Sequence, residues 1–378
     1  VVKAFAREEF EIEKFNRRNE DFKKRNLASA KISATYLPII ETFAGFMNII
    51  AIGLGGLFVL QGAMSIGNLV TFNGLIWMLN IPMRNVGNHV NDLQNFNAST
   101  YKIRQMLATE PQIPVSSQKT VDKLQGDVEF QHVSFAFSDD PDTKVLTDIN
   151  FKLKAGQTLG VLGETGSGKS TLVNLISRFF DPTEGRVLLD GIDVKQMNVI
   201  DLRRNVAIVM QDVFLFSDTI RKNISYGTPG ARFETVRRVA EVADADQFIE
   251  RMPDRYETYL GERGSGLSGG QKQRLSLARG LIKAPSILIL DDTTSAVDME
   301  TEVKIQEGLK KTSEQKTTII IANRISSVKN ADIILILSKG QIVERGNHEE
   351  LLAKGGAYYQ IYEEQLGQAE VEEELSDE

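Results

Sequence analysis

The 378-residue chain has no cysteine, a single tryptophan and only three histidines. Without cysteine there is no disulfide framework, no zinc ribbon and no thiol nucleophile. Basic residues (44) are outnumbered by acidic ones (51), for a net charge of −7. That balance argues against a general nucleic-acid binder, which needs a basic face, though a local basic patch could lie within it. An initiator methionine and a signal-peptide pattern are missing too. The opening Val1-Val-Lys-Ala-Phe5 reads as the interior of a longer chain, so a fragment is expected. No internal repeat is visible. Apolar residues, by contrast, make up 42% of the chain, ample for a sizeable core, and the length suggests two or more domains.

The apolar residues are unevenly spread. From Lys3 to Lys31, charges of both signs alternate with Phe5, Phe10, Ile12, Phe15, Phe22 and Leu27, uninterrupted by Pro or Gly. A polar-faced helix of about 45 Å is expected there. Leu37 to Leu60 carries one charge, Glu41, and four glycines, Gly45, Gly53, Gly55 and Gly56. It is long enough to cross a bilayer core of about 30 Å, and small residues let membrane helices approach closely. The alternative is a buried helix in a large soluble core. After an uncharged turn, Gln61–Gly67, a second apolar stretch runs from Asn68 to Met83 and includes Trp77 and Pro82. Its Asn68, Thr71, Asn73 and Asn80 suit a helix facing a bundle interior or a water-filled path. Lys31 and Arg84 flank the pair while the turn has no basic residue, which puts both outer ends in the cytoplasm. Residues 1–110 thus read as two transmembrane helices, about 37–60 and 68–83, with cytoplasmic extensions.

Pro111, Pro114 and the polar run Ser116–Thr120 mark a linker over 111–125. A soluble domain is expected over 126–367, opening on the alternating strand Val128–Phe137. Apolar strands then alternate with helical patterns, the signature of an α/β domain. Gly356–Tyr362 reads as a closing helix. An acidic tail occupies 368–378, with no regular structure expected from Val371 on.

Within the soluble part, Gly163-Glu-Thr-Gly-Ser-Gly-Lys-Ser170 fits the phosphate-loop pattern. Glycines let the backbone approach an anion so that consecutive N–H groups point at phosphates. Lys169 would reach the terminal phosphates and the Ser170 hydroxyl would ligate Mg²⁺. A glycine-rich surface turn is the bland alternative. Against it, Leu159–Leu162 reads as a strand leading in, and Leu172, Leu175, Ile176, Phe179 and Phe180 as one face of a following helix. Gly163, Glu164, Thr165, Gly166, Ser167, Gly168, Lys169, Ser170 and Thr171 are therefore the candidate grip on a nucleoside triphosphate. Ile287-Leu-Ile-Leu-Asp291 is an apolar strand ending in a carboxylate, which beside a phosphate loop would hold Mg²⁺ through water.

Leu267-Ser-Gly-Gly-Gln271, followed by Lys-Gln-Arg-Leu-Ser-Leu-Ala-Arg279, supplies a hydroxyl and N–H groups at a helix start. Lying between the phosphate loop and Asp291, it resembles the signature motif of ABC ATPases, and the resemblance covers about Gly126 to Leu366. It implies that Phe137 stacks on adenine, in place of the commoner Tyr. It also implies that Gln211 contacts Mg²⁺ and water, and that Asp298 lies between the two nucleotide sites of a dimer. Phe214–Ile220 and Gly261–Gly264 resemble the exporter-type versions, the latter expected to touch membrane-domain loops. The opening Val1–Glu9 resembles the second intracellular loop of ABC exporters. Residues 1–110 would then be the last two of six transmembrane helices. The fold class implied is mixed, an α-helical transmembrane segment followed by an α/β P-loop ABC ATPase domain.

Two positions depart from the family pattern. Where most active members have Glu after the Mg²⁺ aspartate, this chain has Asp292, a carboxylate retracted by about 1.5 Å. Where the family has a switch histidine, it has Asn323, which can hydrogen-bond a γ-phosphate but cannot carry a proton. Both altered positions address the same γ-phosphate, whereas Leu267, Ser268, Gly269, Gly270 and Gln271 are intact. In this family each ATP is held between the phosphate loop of one subunit and the signature motif of the other. The resemblance therefore implies a heterodimer with a second half-transporter in a bacterial plasma membrane, the ATPase domain being cytoplasmic. It implies ATP and Mg²⁺ as cofactors, export of an amphipathic or drug-like small molecule, and no nucleic acid. Alternatives are a regulatory nucleotide-binding subunit without turnover and a soluble ABC ATPase of another class.

Overall fold

A computed structural model describes residues 2–113, 119–293, 299–313 and 316–376. The chain divides into two compact units, one up to Pro111 and one from Gln112 onward.

The first unit is a pair of long helices, α1 (Glu8–Leu60) and α2 (Ile66–Leu107). The charged extension and the apolar stretch expected as separate pieces are one uninterrupted helix in each case. A helix satisfies its own backbone in water and in hydrocarbon alike, so the change of solvent requires no break. Pro38 lies within α1, where the Thr42 hydroxyl donates to its carbonyl at 2.7 Å. Ser65 caps α2, its hydroxyl accepting from Asn68 N at 3.2 Å. Helix α1 is long and apolar enough to cross a membrane, while the apolar part of α2, Ile66–Ile76, is shorter. The helices meet closely at Gly55, where a Cβ would lie 2.3 Å from Leu69 Cδ1.

The second unit holds two sheets. The first is antiparallel, ordered β2–β1–β4–β5, with β1 Val128–Phe137, β2 Asp140–Leu153, β4 Glu184–Leu189 and β5 Ile192–Asp193. Strand β1 alternates because only one of its faces meets the core; Phe130 faces Phe151 across the register and stacks on it at 4.6 Å. The second sheet is ordered β10–β9–β3–β8–β7–β6. Its members are β3 Thr158–Gly163, β6 Val206–Val209, β7 Ile287–Asp291, β8 Thr317–Ile321, β9 Ile333–Ser338 and β10 Gln341–Gly346. Strands β9, β3, β8, β7 and β6 are parallel and β10 returns antiparallel along the edge. Near-continuous Ile, Leu and Val runs are what strands covered on both faces require.

One apolar cluster fills the space between the sheets, joining Phe130, Leu146 and Phe151 to Leu159, Val161 and Leu175. A second lies under the helices between β6 and β7, and a third packs Ala322, Ile325 and Val328 against Leu351 and Tyr358. Three expectations are corrected. Helix α3 (Lys169–Ile176) stops before Phe179 and Phe180, because Arg178 turns left-handed (φ 50°) and is buried in an ion pair with Asp181 at 2.9 Å. Residues 119–125 are docked rather than free: Leu124 is buried and its N–H donates to Asn205 Oδ1 at 2.9 Å. Residues 114–118 of the expected linker lie outside the described residues. The closing helix is longer than expected, Ala357–Ser376, so its backbone runs through most of the acidic tail.

Candidate nucleotide site

The site lies beyond the carboxyl ends of β3, β8, β7 and β6, where open α/β sheets bind ligands. Strand β3 ends in Gly163, at which a Cβ would lie 2.2 Å from the Leu337 carbonyl oxygen. Gly166 (φ 84°) and Gly168 (φ 101°) then take left-handed conformations that complete the turn into α3. The Lys169 ammonium folds back over this loop, donating to the carbonyls of Gly163 (2.5 Å) and Glu164 (2.9 Å). Burial lowers its pKa, opposed by the charges of Asp292 and Asp291.

Ser170 hydrogen-bonds Asp291 at the end of β7. Burial raises the Asp291 pKa, aided by the charge of Asp292 and opposed by the Ser170 bond and by Lys169. Asp292 is left-handed (φ 48°), with its N–H donating to Ile321 O at 2.9 Å. Its Oδ2 accepts from Gln211 Nε2 at 3.1 Å and from Asn323 Nδ2 at 3.2 Å. Burial also raises the Asp292 pKa, against the opposing effects of Lys169, the Asn323 bond and Arg324.

These groups line one cavity of about 280 Å³: Thr165, Gly166, Gly168, Lys169, Ser170, Thr171, Gln211, Asp291, Asp292 and Asn323, with Val145 and Ile321. Gly163 and Glu164 contribute the carbonyls that hold Lys169, and Ser167 is buried beneath the loop. Phe137 is not among the lining residues; it packs edge-on against Phe180 at 5.4 Å and Phe135 at 5.0 Å. Leu267–Gln271 stands apart from the cavity, at the head of the helix Gly269–Leu281. There the Ser268 hydroxyl, expected to face a phosphate, accepts from Gln271 N at 3.3 Å, and Gln271 Oε1 accepts from Ser268 N at 3.0 Å. Together they form a capping box. Asp298 lies outside the described residues. Val145 and Arg324 were not singled out from the sequence. Val145 carries no local signal, while Arg324 adjoins Asn323 and its charge was there to be read.

Ser170 Oγ and the Asp291 carboxylate are adjacent hard-oxygen donors, the kind Mg²⁺ prefers. Among the described residues no group of three or more His, Cys, Asp or Glu side chains forms a metal cage.

Residues 146–295 match the ABC transporter family and residues 1–83 the ABC transporter transmembrane region. An uncharacterized ABC transporter ATP-binding protein of Bacillus subtilis, YknU, is 43% identical over 366 residues, which is 96% of this chain and 62% of that protein. The ATP-dependent lipid A-core flippase of Syntrophus aciditrophicus is 39% identical over 99% of this chain and 62% of its own length. YgaD, a putative multidrug export ATP-binding/permease protein of Bacillus subtilis, is 38% identical over 96% and 62%. The solved structure of a bacterial Atm1-family ABC exporter with ATP bound superposes with a TM-score of 0.88 at 32% identity, over 96% of this chain and 64% of that one. The chain spans less than two thirds of the length of each of these relatives. With both regions matched in this order on one chain, it belongs to the ABC transporter family, a helical membrane region followed by the α/β ATPase domain.

Proposed function

We propose that the chain is part of one subunit of an ATP-driven exporter, with a slow nucleotide site of its own and a sound signature motif for its partner's site. The observation that carries this reading is the shared carboxylate: Asp292 Oδ2 is held by both Gln211 and Asn323 above Lys169 and Ser170. Loop N–H groups and Lys169 grip the phosphates, while Ser170 and Asp291 hold Mg²⁺, with Gln211 beside them. Mg²⁺ neutralises charge developing on the transferred phosphoryl group. Asn323 donates to the γ-phosphate. Asp292 has to orient the attacking water, but its carboxylate is one methylene short and already engaged by two amides. Phe137, partly buried and outside the lining of this cavity, is the residue that would stack on adenine. ATP is bound firmly and hydrolysed slowly here.

Leu267–Gln271 completes the site of a partner half-transporter that carries Glu and His at the matching positions, which makes the assembly a heterodimer. Its membrane helices are multi-pass and its ATPase domain is cytoplasmic. The substrate class, lipidic or drug-like, is supported by the names of the relatives and by the polar Asn68, Thr71 and Asn73 within the apolar segment Ile66–Ile76.

The test is ATP turnover by the full-length subunit, alone and with its partner. Turnover is expected to need the partner's catalytic carboxylate. Fast turnover by the subunit alone, abolished by Asp292→Asn, would refute the division of labour.

A further inference from the structure

The helix Ala357–Ser376 buries one face. Tyr358 is fully buried, and Ile361 and Tyr362 pack against the cluster containing Ala322, Ile325 and Val328. These positions follow the i, i+3, i+4 spacing of a helix stripe, whose next member is position 365. An apolar side chain belongs there, yet the residue is Gln365. Both ends of its amide are used. Gln365 Nε2 donates to the Asn323 carbonyl at 2.8 Å, and Gln365 Oε1 accepts from Ile325 N at 2.9 Å. One side chain thus closes on the backbone either side of Arg324. Ile325 opens a short 3₁₀ turn, Ile325–Ser327, whose first N–H finds no partner within the turn. The Asn323 side chain, a few bonds from the clamped carbonyl, is the one that donates to Asp292. At the far end of the turn, the Ser327 hydroxyl donates to the buried Glu302 at 2.5 Å. The segment carrying Asn323 is therefore anchored by side chains from two helices as well as by the sheet, where Ala322 N donates to Val161 O at 3.2 Å.

We infer that Gln365 is a positioning residue of the nucleotide site. It fixes the backbone from which Asn323 reaches the γ-phosphate, so recognition of the triphosphate depends on the seating of the closing helix. The inference rests on the reading of Asn323 as a γ-phosphate contact. The phosphate loop is outside this linkage, because Lys169 and Ser170 are held by Gly163, Glu164 and Asp291 and not by the segment Asn323–Ile325. Loosening Gln365 therefore weakens ATP and leaves ADP unaffected.

The experiment uses the full-length protein assembled with its partner in lipid nanodiscs. A photoreactive adenine nucleotide crosslinked to this subunit is displaced by ATP and, separately, by ADP, which gives the ATP:ADP preference of this site alone. Asn323→Ala is expected to lower that preference. Gln365→Ala should lower it by about fivefold, the worth of one ordinary hydrogen bond, with ADP affinity unchanged. Gln365→Glu still accepts from Ile325 N but cannot donate to the Asn323 carbonyl, and should behave like the alanine variant. In an Asn323→Ala background, Gln365→Ala should add nothing. The inference is overturned if Gln365→Ala leaves the preference intact while Asn323→Ala lowers it, if the two losses multiply, if Gln365→Glu is silent, or if ADP affinity falls in parallel. If Asn323→Ala itself changes nothing, the γ-phosphate reading of Asn323 fails first, and the inference falls with it.

Discussion

Restoring the two departures tests the site most directly. In Asp292→Glu the carboxylate advances by one methylene, about 1.5 Å. Misplacement of a reacting group by about 1 Å costs on the order of a hundredfold in rate, which sets the gross gain available. Against it stands the loss of the two amide contacts at 3.1 and 3.2 Å that hold Asp292 Oδ2. Both are exposed, at about 0.5 kcal/mol each, so losing them returns about a fivefold factor. The net expectation for Asp292→Glu is about a twentyfold rise in turnover at this site. Adding Asn323→His supplies a side chain that can carry a proton and should raise turnover further than the single change does. The assay is phosphate release by the assembled transporter with the partner's own catalytic carboxylate neutralised, so that only this site contributes. A change of less than twofold in the double variant, with ATP still bound, would refute the claim that carboxylate reach and the missing imidazole limit this site.

Other consequences follow from the same geometry. Lys169→Ala removes the ammonium that caps the loop and should weaken ATP binding by a hundredfold or more in equilibrium binding, whereas near-normal affinity would count against the phosphate-grip reading. Gly163→Ala would drive a Cβ to 2.2 Å from the Leu337 carbonyl at a φ of 153°; a loss of about 1–3 kcal/mol in denaturant unfolding is expected, and a silent substitution would disprove the close approach. Asp291 and Asp292 both have pKa values raised by burial above the ordinary 3.8. Between 3.8 and the raised values the folded state binds more protons than the unfolded, so stability should fall as pH rises through that window. Replacing both with Asn should flatten the dependence of melting temperature on pH, and an unaltered slope would refute the burial argument.

Much of this was legible in the sequence, because the signals were local. Strand β1 occupies Val128–Phe137, where the alternation placed it, and β7 ends on Asp291, where the apolar run met a carboxylate. The glycine loop runs from strand into helix, as its pattern demands. What was not legible depends on partners far along the chain. The apolar spacing that carries α3 on to Phe179 and Phe180 is intact, yet a buried Arg178–Asp181 pair stops the helix earlier. Leu124 looked like linker because its partner, Asn205, lies 81 residues away. Ser268 reads as an anion-facing hydroxyl with a helix cap as the alternative, and the capping box with Gln271 is what forms. Gln365 left one sign, a polar residue in an apolar stripe, whose meaning appears only once Asn323 and Ile325 are placed beside it.

The strand order also bears on why the two departures occur together. β8, β7 and β6 are neighbours, and Asn323, Asp292 and Gln211 follow their carboxyl ends by one or two residues. Three side chains so placed must share one small space, and here they do so through a single oxygen, Asp292 Oδ2. Lengthening the carboxylate alone would push that oxygen past both amides, and replacing Asn323 alone would disturb the amide that donates to it at 3.2 Å. Each substitution on its own leaves a half-buried carboxylate less well satisfied, in a site where burial already disfavours its charge. On the proposed function, a pair that fits itself this closely costs little in stability while slowing the chemistry. If, as proposed, a partner carries the catalytic burden, this subunit can keep such a pair, provided the face it would lend to that partner, Leu267–Gln271, stays intact.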